Sequence, residues 1–109
     1  MNRYFTSIEQ SKKLLGLGLD GYTADMAYSH DSDTCIPMPV ANCAGSFPVP
    51  CWSVGALLEL VPTYEIINCG DTIEIDCKGF ALETEENETL LDLVVNMLIW
   101  LLEHNYIEK

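Results

Sequence analysis

Cys51-Trp52-Ser53 places two nucleophilic side chains immediately before the apolar run Val54-Gly55-Ala56-Leu57-Leu58. A thiolate at a helix N-terminus, an imidazole to take its proton and a third group to orient that imidazole would make a cysteine-nucleophile hydrolase. The chain has two histidines, His30 and His104, and Asn105 follows the second. Three features oppose the arrangement. Pro50 precedes the cysteine, and Cys51 falls outside the helix once Ser53 is taken as its cap. His104 and Asn105 are neighbours in sequence, which suits neither for orienting the other. Ser53 fares no better, because a nucleophile elbow needs glycine where Cys51 stands. No catalytic residue is assigned, and a hydrolase at Cys51 is kept only as an alternative.

Other residues with ligand chemistry are equally incomplete. His30-Asp31-Ser32-Asp33 offers an imidazole and two carboxylates. A calcium loop would continue with a third ligand, a glycine and a distant glutamate, whereas Thr34-Cys35-Ile36-Pro37 follows, so a polar turn is expected. The five cysteines (Cys35, Cys43, Cys51, Cys69 and Cys77) show none of the short CxxC spacings that zinc favours. Their odd number, with no export signal in the opening residues, leads us to expect reduced, buried thiols and a cytoplasmic protein. Leu15-Gly16-Leu17-Gly18-Leu19-Asp20 follows a helix pattern instead of a strand, the reverse of a dinucleotide-binding loop. Neither metal nor cofactor is expected.

Charge narrows the partners. The chain of 109 residues carries 5 basic and 17 acidic side chains, a net charge of −12. Between Lys13 and Lys78 there is no Lys or Arg, against nine acids. Direct binding to a phosphate backbone or an anionic membrane surface requires the opposite sign. No apolar run reaches the ~18 residues of a membrane span. The longest, Leu90 to Leu102, is interrupted by Asp92 and Asn96. The acids serve solubility first. A sharper reading makes them a surface for a basic partner, or a mimic of nucleic acid that occupies a DNA-binding protein. Their spread over helix, hairpin and loop in sequence is against the mimic.

The elements that would carry these residues follow from periodicity. A helix is expected over 6–17, opened by a capping box of Thr6 with Glu9 or Ser7 with Gln10 and stopped by Gly16 or Gly18. Residues 23–29 suggest a short strand. Residues 30–50 hold four prolines and show no sustained helical period, so a long loop is expected there. Ser53 caps a second helix, with Trp52 and Leu57 at the positions of a hydrophobic staple and Pro62 closing it. Residues 63–69 and 72–80 alternate as a hairpin joined by Gly70-Asp71, a type II′ turn. The Ile66 face joins that of Ile73 and Ile75, and a one-residue slip would bury Glu74. Residues 84–105 form a long helix, capped by Thr84, that is apolar on all but a narrow stripe of Asp92, Asn96 and Glu103. Such a helix is wrapped on several sides, by the rest of the chain or by a second copy in a homodimer.

Three blocks also carry a resemblance. TSIEQSKKLLGLGLD with TADM, then VPCWSVGALLELVP, then WLLEHNYIEK resemble, in this order, a group of small uncharacterised proteins of gut Bacteroides and relatives, some in prophage or other mobile-element regions. The likeness covers about half of the chain. It implies a mobile-element origin and a helix-plus-hairpin design, and it carries no functional residue.

Together these readings predict a single α+β domain over 1–109, with three helices packed on a small antiparallel β-hairpin or three-stranded sheet. The expected function is that of a small acidic, non-enzymatic protein-interaction (accessory) protein, binding a protein partner or itself. Loops carry contacts more often than packed faces do. Tyr28, His30 and Phe47, in or beside the 30–50 loop, are therefore the residues expected to anchor a partner, aromatics being enriched at interfaces.

Overall fold

The first helix, α1 (Ile8–Gly16), starts where two reciprocal hydrogen bonds start it. The Ser7 hydroxyl accepts from the Gln10 backbone N–H, and the Gln10 side chain accepts from the Ser7 N–H. Of the two capping boxes open to the sequence, the chain uses this one. Thr6 is instead buried, its hydroxyl bonded to Ser11 at 2.8 Å. Gly18, at φ +101°, turns the chain out of the helix. The computed structural model describes residues 5–28, 35–37, 49–86 and 88–107.

After α1 a 3₁₀ turn (Gly21–Thr23) leads into β1 (Met26–Tyr28), followed by β2 (Cys35–Pro37) and β3 (Pro50–Cys51). These three make the first sheet, in the order β2-β1-β3, antiparallel throughout. The expected strand near 23–29 is β1. The expectation of an unstructured 30–50 segment is corrected at its described residues, because β2 and β3 pair with the two edges of β1. Short strands dominated by proline and cysteine carry no alternating pattern, so only long-range pairing reveals them.

Ser53 then caps α2 (Val54–Leu60), accepting from the Ala56 N–H at 3.2 Å, and Val61-Pro62 follow its end. Trp52 and Leu57, the staple pair, are both fully buried in the main core. The chain continues as β4 (Tyr64–Asn68), β5 (Ile73–Cys77) and β6 (Phe80–Glu83), a second antiparallel sheet in sequential order. The first hairpin has the expected register, Asn68 opposite Ile73 and Ile66 opposite Ile75, with Gly70 at φ +91°. The run 72–80 does not remain one strand. Lys78 (φ +56°) and Gly79 (φ +78°) both take the left-handed conformation of a type I′ turn and send the chain back as β6.

The long helix, α3 (Leu90–Glu103), begins later than expected. Thr89 is its cap, in a box with Asp92. Thr84 extends the β5–β6 ladder instead, donating its N–H to the Ile73 carbonyl and accepting from the Ile73 N–H. Thr89 has an acid, Asp92, at the third helical position, where Thr84 has Asn87, and the pairing of Thr84 with Ile73 keeps Thr84 in the sheet. Eight residues of α3 are buried, while Asn96 and Glu103 are exposed and Asp92 half-buried. Its apolar sides meet α2, α1, β5 and β6. The fold is α+β, with three α-helices and two three-stranded antiparallel sheets among the described residues. One core cluster joins Leu14, Trp52, Leu57, Ile75 and the buried residues of α3.

Candidate functional site

The chemistry singled out by sequence is taken up by structure around Trp52. The Trp52 N–H donates to the Thr6 hydroxyl (3.0 Å), its carbonyl accepts from the Thr6 N–H (2.9 Å), and its indole Nε1 donates to the Thr23 hydroxyl (2.9 Å). Ser53 is clasped by Asp25, whose carboxylate accepts from the Ser53 N–H at 2.9 Å and from its hydroxyl at 2.6 Å. The hydroxyl that could have been a nucleophile thus holds a helix start and a carboxylate.

Cys51 is fully buried beside Val49, with Phe5, Ile8 and Met26 packed around the pair. It is disulfide-bonded, to a cysteine whose side chain lies outside the described ones. The expectation of reduced thiols is therefore corrected at Cys51. An odd count leaves at least one cysteine over but says nothing about the others, and the first sheet gathers segments distant in sequence. A disulfide sulfur has no proton to lose, so a nucleophile there would first require reduction. Cys69 and Cys77 are free thiols, one exposed and one buried. Burial pushes the Cys77 thiol above its ordinary value, with Lys78 pulling it partly back.

His104 lies in another neighbourhood. Its Nδ1 donates to the Trp100 carbonyl at 2.9 Å, and its ring stacks on the Trp100 indole at 4.4 Å. Trp100 also stacks on Phe80 of β6 and on Tyr106. This aromatic group fastens the end of α3 to the second sheet, and no described contact joins His104 to Cys51. Among the described residues, no group of three or more His, Cys, Asp or Glu side chains could hold a metal ion.

Of the three residues expected to anchor a partner, Tyr28 ends β1, opposite Cys35. His30 and Phe47 lie outside the described residues, as do residues 31–34 with the rest of the HDSD segment.

What sequence reasoning missed is the outer face of the second sheet. Residues directly opposite one another share a face. Tyr64–Cys77–Phe80 and Ile66–Ile75–Leu82 form rows turned toward α3. The rows on the other face are Glu65–Asp76–Ala81 and Ile67–Glu74–Glu83. Four carboxylates from three strands therefore stand together, two pairs of them directly opposite. Of the acids expected to be spread over helix, hairpin and loop, the β4–β5–β6 register gathers these four. Asp76 beside it, loss of surrounding water, and Glu83 across the ladder all push the Glu74 carboxyl above its ordinary value. Like charges placed opposite one another work against the sheet. The alternation Glu74-Ile75-Asp76 was visible in sequence, but β6, which adds Glu83, was not.

No protein-family model, curated protein or solved structure matches the chain. Among the described residues no helix is long and apolar enough to cross a membrane.

Proposed function

We propose that this protein is a small acidic, non-enzymatic interaction module that binds a basic polypeptide through the outer face of its second sheet. The observation that carries this reading is the set Glu65, Glu74, Asp76 and Glu83 on one exposed face, with Glu65 opposite Asp76 and Glu74 opposite Glu83. A cationic partner would relieve that self-repulsion, and its approach is steered by a net charge of −12. Ile67 and Ala81 on the same face supply apolar contact.

The test is calorimetric titration with a lysine-rich peptide. One variant replaces the four face acids by their amides. A control replaces Glu9, Asp20, Glu59 and Glu103, giving the same net charge. The face variant should bind about tenfold more weakly or worse, and the control should lose much less. Equal losses would mean that only net charge matters, and the proposal would fail.

The gathering of the four acids also favours a second reading, a nucleic-acid mimic acting on a DNA-binding protein. That reading requires competition with DNA that weakens steeply with salt. A homodimer belongs to the same proposal as a further mode of use, and sedimentation tests it directly. The disulfide at Cys51 supports residence in an oxidising compartment over the cytoplasm expected from sequence. The block likeness to gut Bacteroides proteins supports a mobile-element origin.

A further inference from the structure

Among the described residues no further strand pairs with either edge of the second sheet, and the two edges are not equivalent. In the β4–β5 hairpin the Cys69 N–H donates to the Thr72 carbonyl at 2.9 Å, so 69 and 72 form a hydrogen-bonded pair. Antiparallel pairs alternate. The pairs Ile67–Glu74 and Glu65–Asp76 are then also hydrogen-bonded, while Asn68–Ile73, Ile66–Ile75 and Tyr64–Cys77 are not. The Ile73 backbone agrees, because its N–H and C=O are engaged on the opposite side by Thr84. The N–H and C=O groups of Tyr64, Ile66 and Asn68 consequently point away from the sheet, and no described strand pairs with them. At the other edge only Ala81 and Glu83 of the shorter β6 point outward, and Phe80 there is stacked under Trp100.

Edge strands are commonly blunted by lysine, proline or a bulge. Tyr-Glu-Ile-Ile-Asn has none of these, and its one charged side chain is Glu65, which favours a cationic strand over other neighbours. Its apolar side chains are open to solvent on both faces, Tyr64 38%, Ile66 38% and Ile67 37% exposed.

We infer that the outer edge of β4 is the docking line for an extended basic segment, which adds to the sheet as a fourth strand. This rests on the reading of the acidic face as a binding surface and gives it a geometry. Three residues of β4 supply backbone donors and acceptors, the usual source of affinity in strand addition. Charge selects the occupant. On one face of an added strand, every second residue lies beside Glu65 and Ile67, with Asp76 and Glu74 one strand further in, about 4.8 Å away. Lysine and arginine span that distance. On the other face the alternate residues lie beside Tyr64, Ile66 and Asn68, where apolar side chains cover Tyr64 and Ile66. The segment recognised therefore alternates basic and apolar residues. A second copy of the chain would bring another Glu65 and another charge of −12 to the same edge.

A short peptide alternating lysine and valine is the probe. Backbone N-methylation on its β4-facing edge should weaken binding about tenfold or more, while N-methylation on the opposite edge should leave it unchanged. Ile66→Pro removes an outward N–H without touching the β5 ladder and should cause a similar loss. Amide exchange at Tyr64, Ile66 and Asn68 should be fast in the free protein and slow in the complex. If neither N-methylation nor Ile66→Pro matters while amide replacement of the four acids does, the edge is not used and only the broader function stands. If the edge changes matter but the acids do not, the basic character of the partner is wrong. If amide exchange at the three residues stays fast in the complex, the strand-addition geometry is wrong. Concentration-dependent dimerisation abolished by Ile66→Pro would assign the edge to a second copy and overturn the inference. The N-methylated peptides decide the matter even if the proline variant fails to fold.

Discussion

The two sheets have equal numbers of strands and opposite character. The first joins residues 26–28, 35–37 and 50–51, pieces widely separated in the chain. It is stitched to its surroundings by buried and specific bonds: the Cys51 disulfide, the three hydrogen bonds of Trp52 and the Asp25 clasp on Ser53. The second is two consecutive hairpins closed by two-residue turns. One of its faces is spent on α3, while among the described residues no strand or helix covers its other face or the β4 edge. Around the first sheet the described polar groups of Trp52, Ser53 and Asp25 are spent on holding the chain together. A region closed by local turns can leave its outer surface unspent, which is why the proposed binding surface lies there.

If this contrast is right, substitutions around the first sheet should be costly and those on the outside of the second should be cheap. Trp52→Ala should have the largest effect, about 3–5 kcal/mol of lost stability from removing a fully buried indole, as measured by denaturant unfolding. Reduction of the Cys51 disulfide should come next, at about 2–4 kcal/mol. Before reduction, iodoacetamide should modify Cys69 and spare Cys51 and Cys77, because only Cys69 of these is an exposed free thiol. Rapid modification of Cys51 in the native protein would remove the disulfide from the account of the first sheet. Ser53→Ala should cost about 1 kcal/mol through loss of the α2 cap, and somewhat more if the Asp25 bond contributes independently. By contrast, Ile66→Ala on the open edge should change stability by less than about 1 kcal/mol. A loss equal to that of Trp52→Ala would erase the distinction between the sheets.

The smallest effect should come from Glu74, and its sign is opposite. A carboxyl held above its ordinary value disfavours the charged form in the folded protein. Its contribution to stability is fully present below the unfolded-state value and is lost as pH rises through the folded-state value. Glu74→Gln should therefore raise Tm slightly at neutral pH. The advantage should shrink on acidification and vanish below the ordinary carboxylate range, about pH 4. A gain independent of pH would point to packing instead of charge.

Legibility in the sequence followed the same division. The β4–β5 register could be read because an apolar/polar alternation and a Gly-Asp turn lie within a few residues of each other. The α2 start could be read from Trp52, Ser53 and Leu57 alone. The turn at Lys78-Gly79 escaped notice because lysine gives little warning of a left-handed conformation, and with it β6 and the position of Glu83 were lost. Thr84 precedes a run of acids that suits a helix start, but the reciprocal box belongs to Thr89 and Asp92, and Thr84 pairs with Ile73. Tyr28, His30 and Phe47 stand out in sequence because rings in or beside a proline-rich segment suit contacts. The four acids were missed because they come from three strands, and charge carries no periodicity across a turn.

Sequence by itself determined the three helices, the caps of the first two, one hairpin with the faces it pairs, and the acidic balance of the chain. These follow from interactions between residues a few positions apart, which any sequence displays. Tertiary structure alone decided that Cys51 is disulfide-bonded, that β1 has strands on both sides, and that Glu65, Glu74, Asp76 and Glu83 share a face beside an open edge. Each of these depends on which distant segments meet, and that is set by burial of the common core of Trp52, Ile75 and α3, an energy summed over the whole chain and written in no single stretch of it.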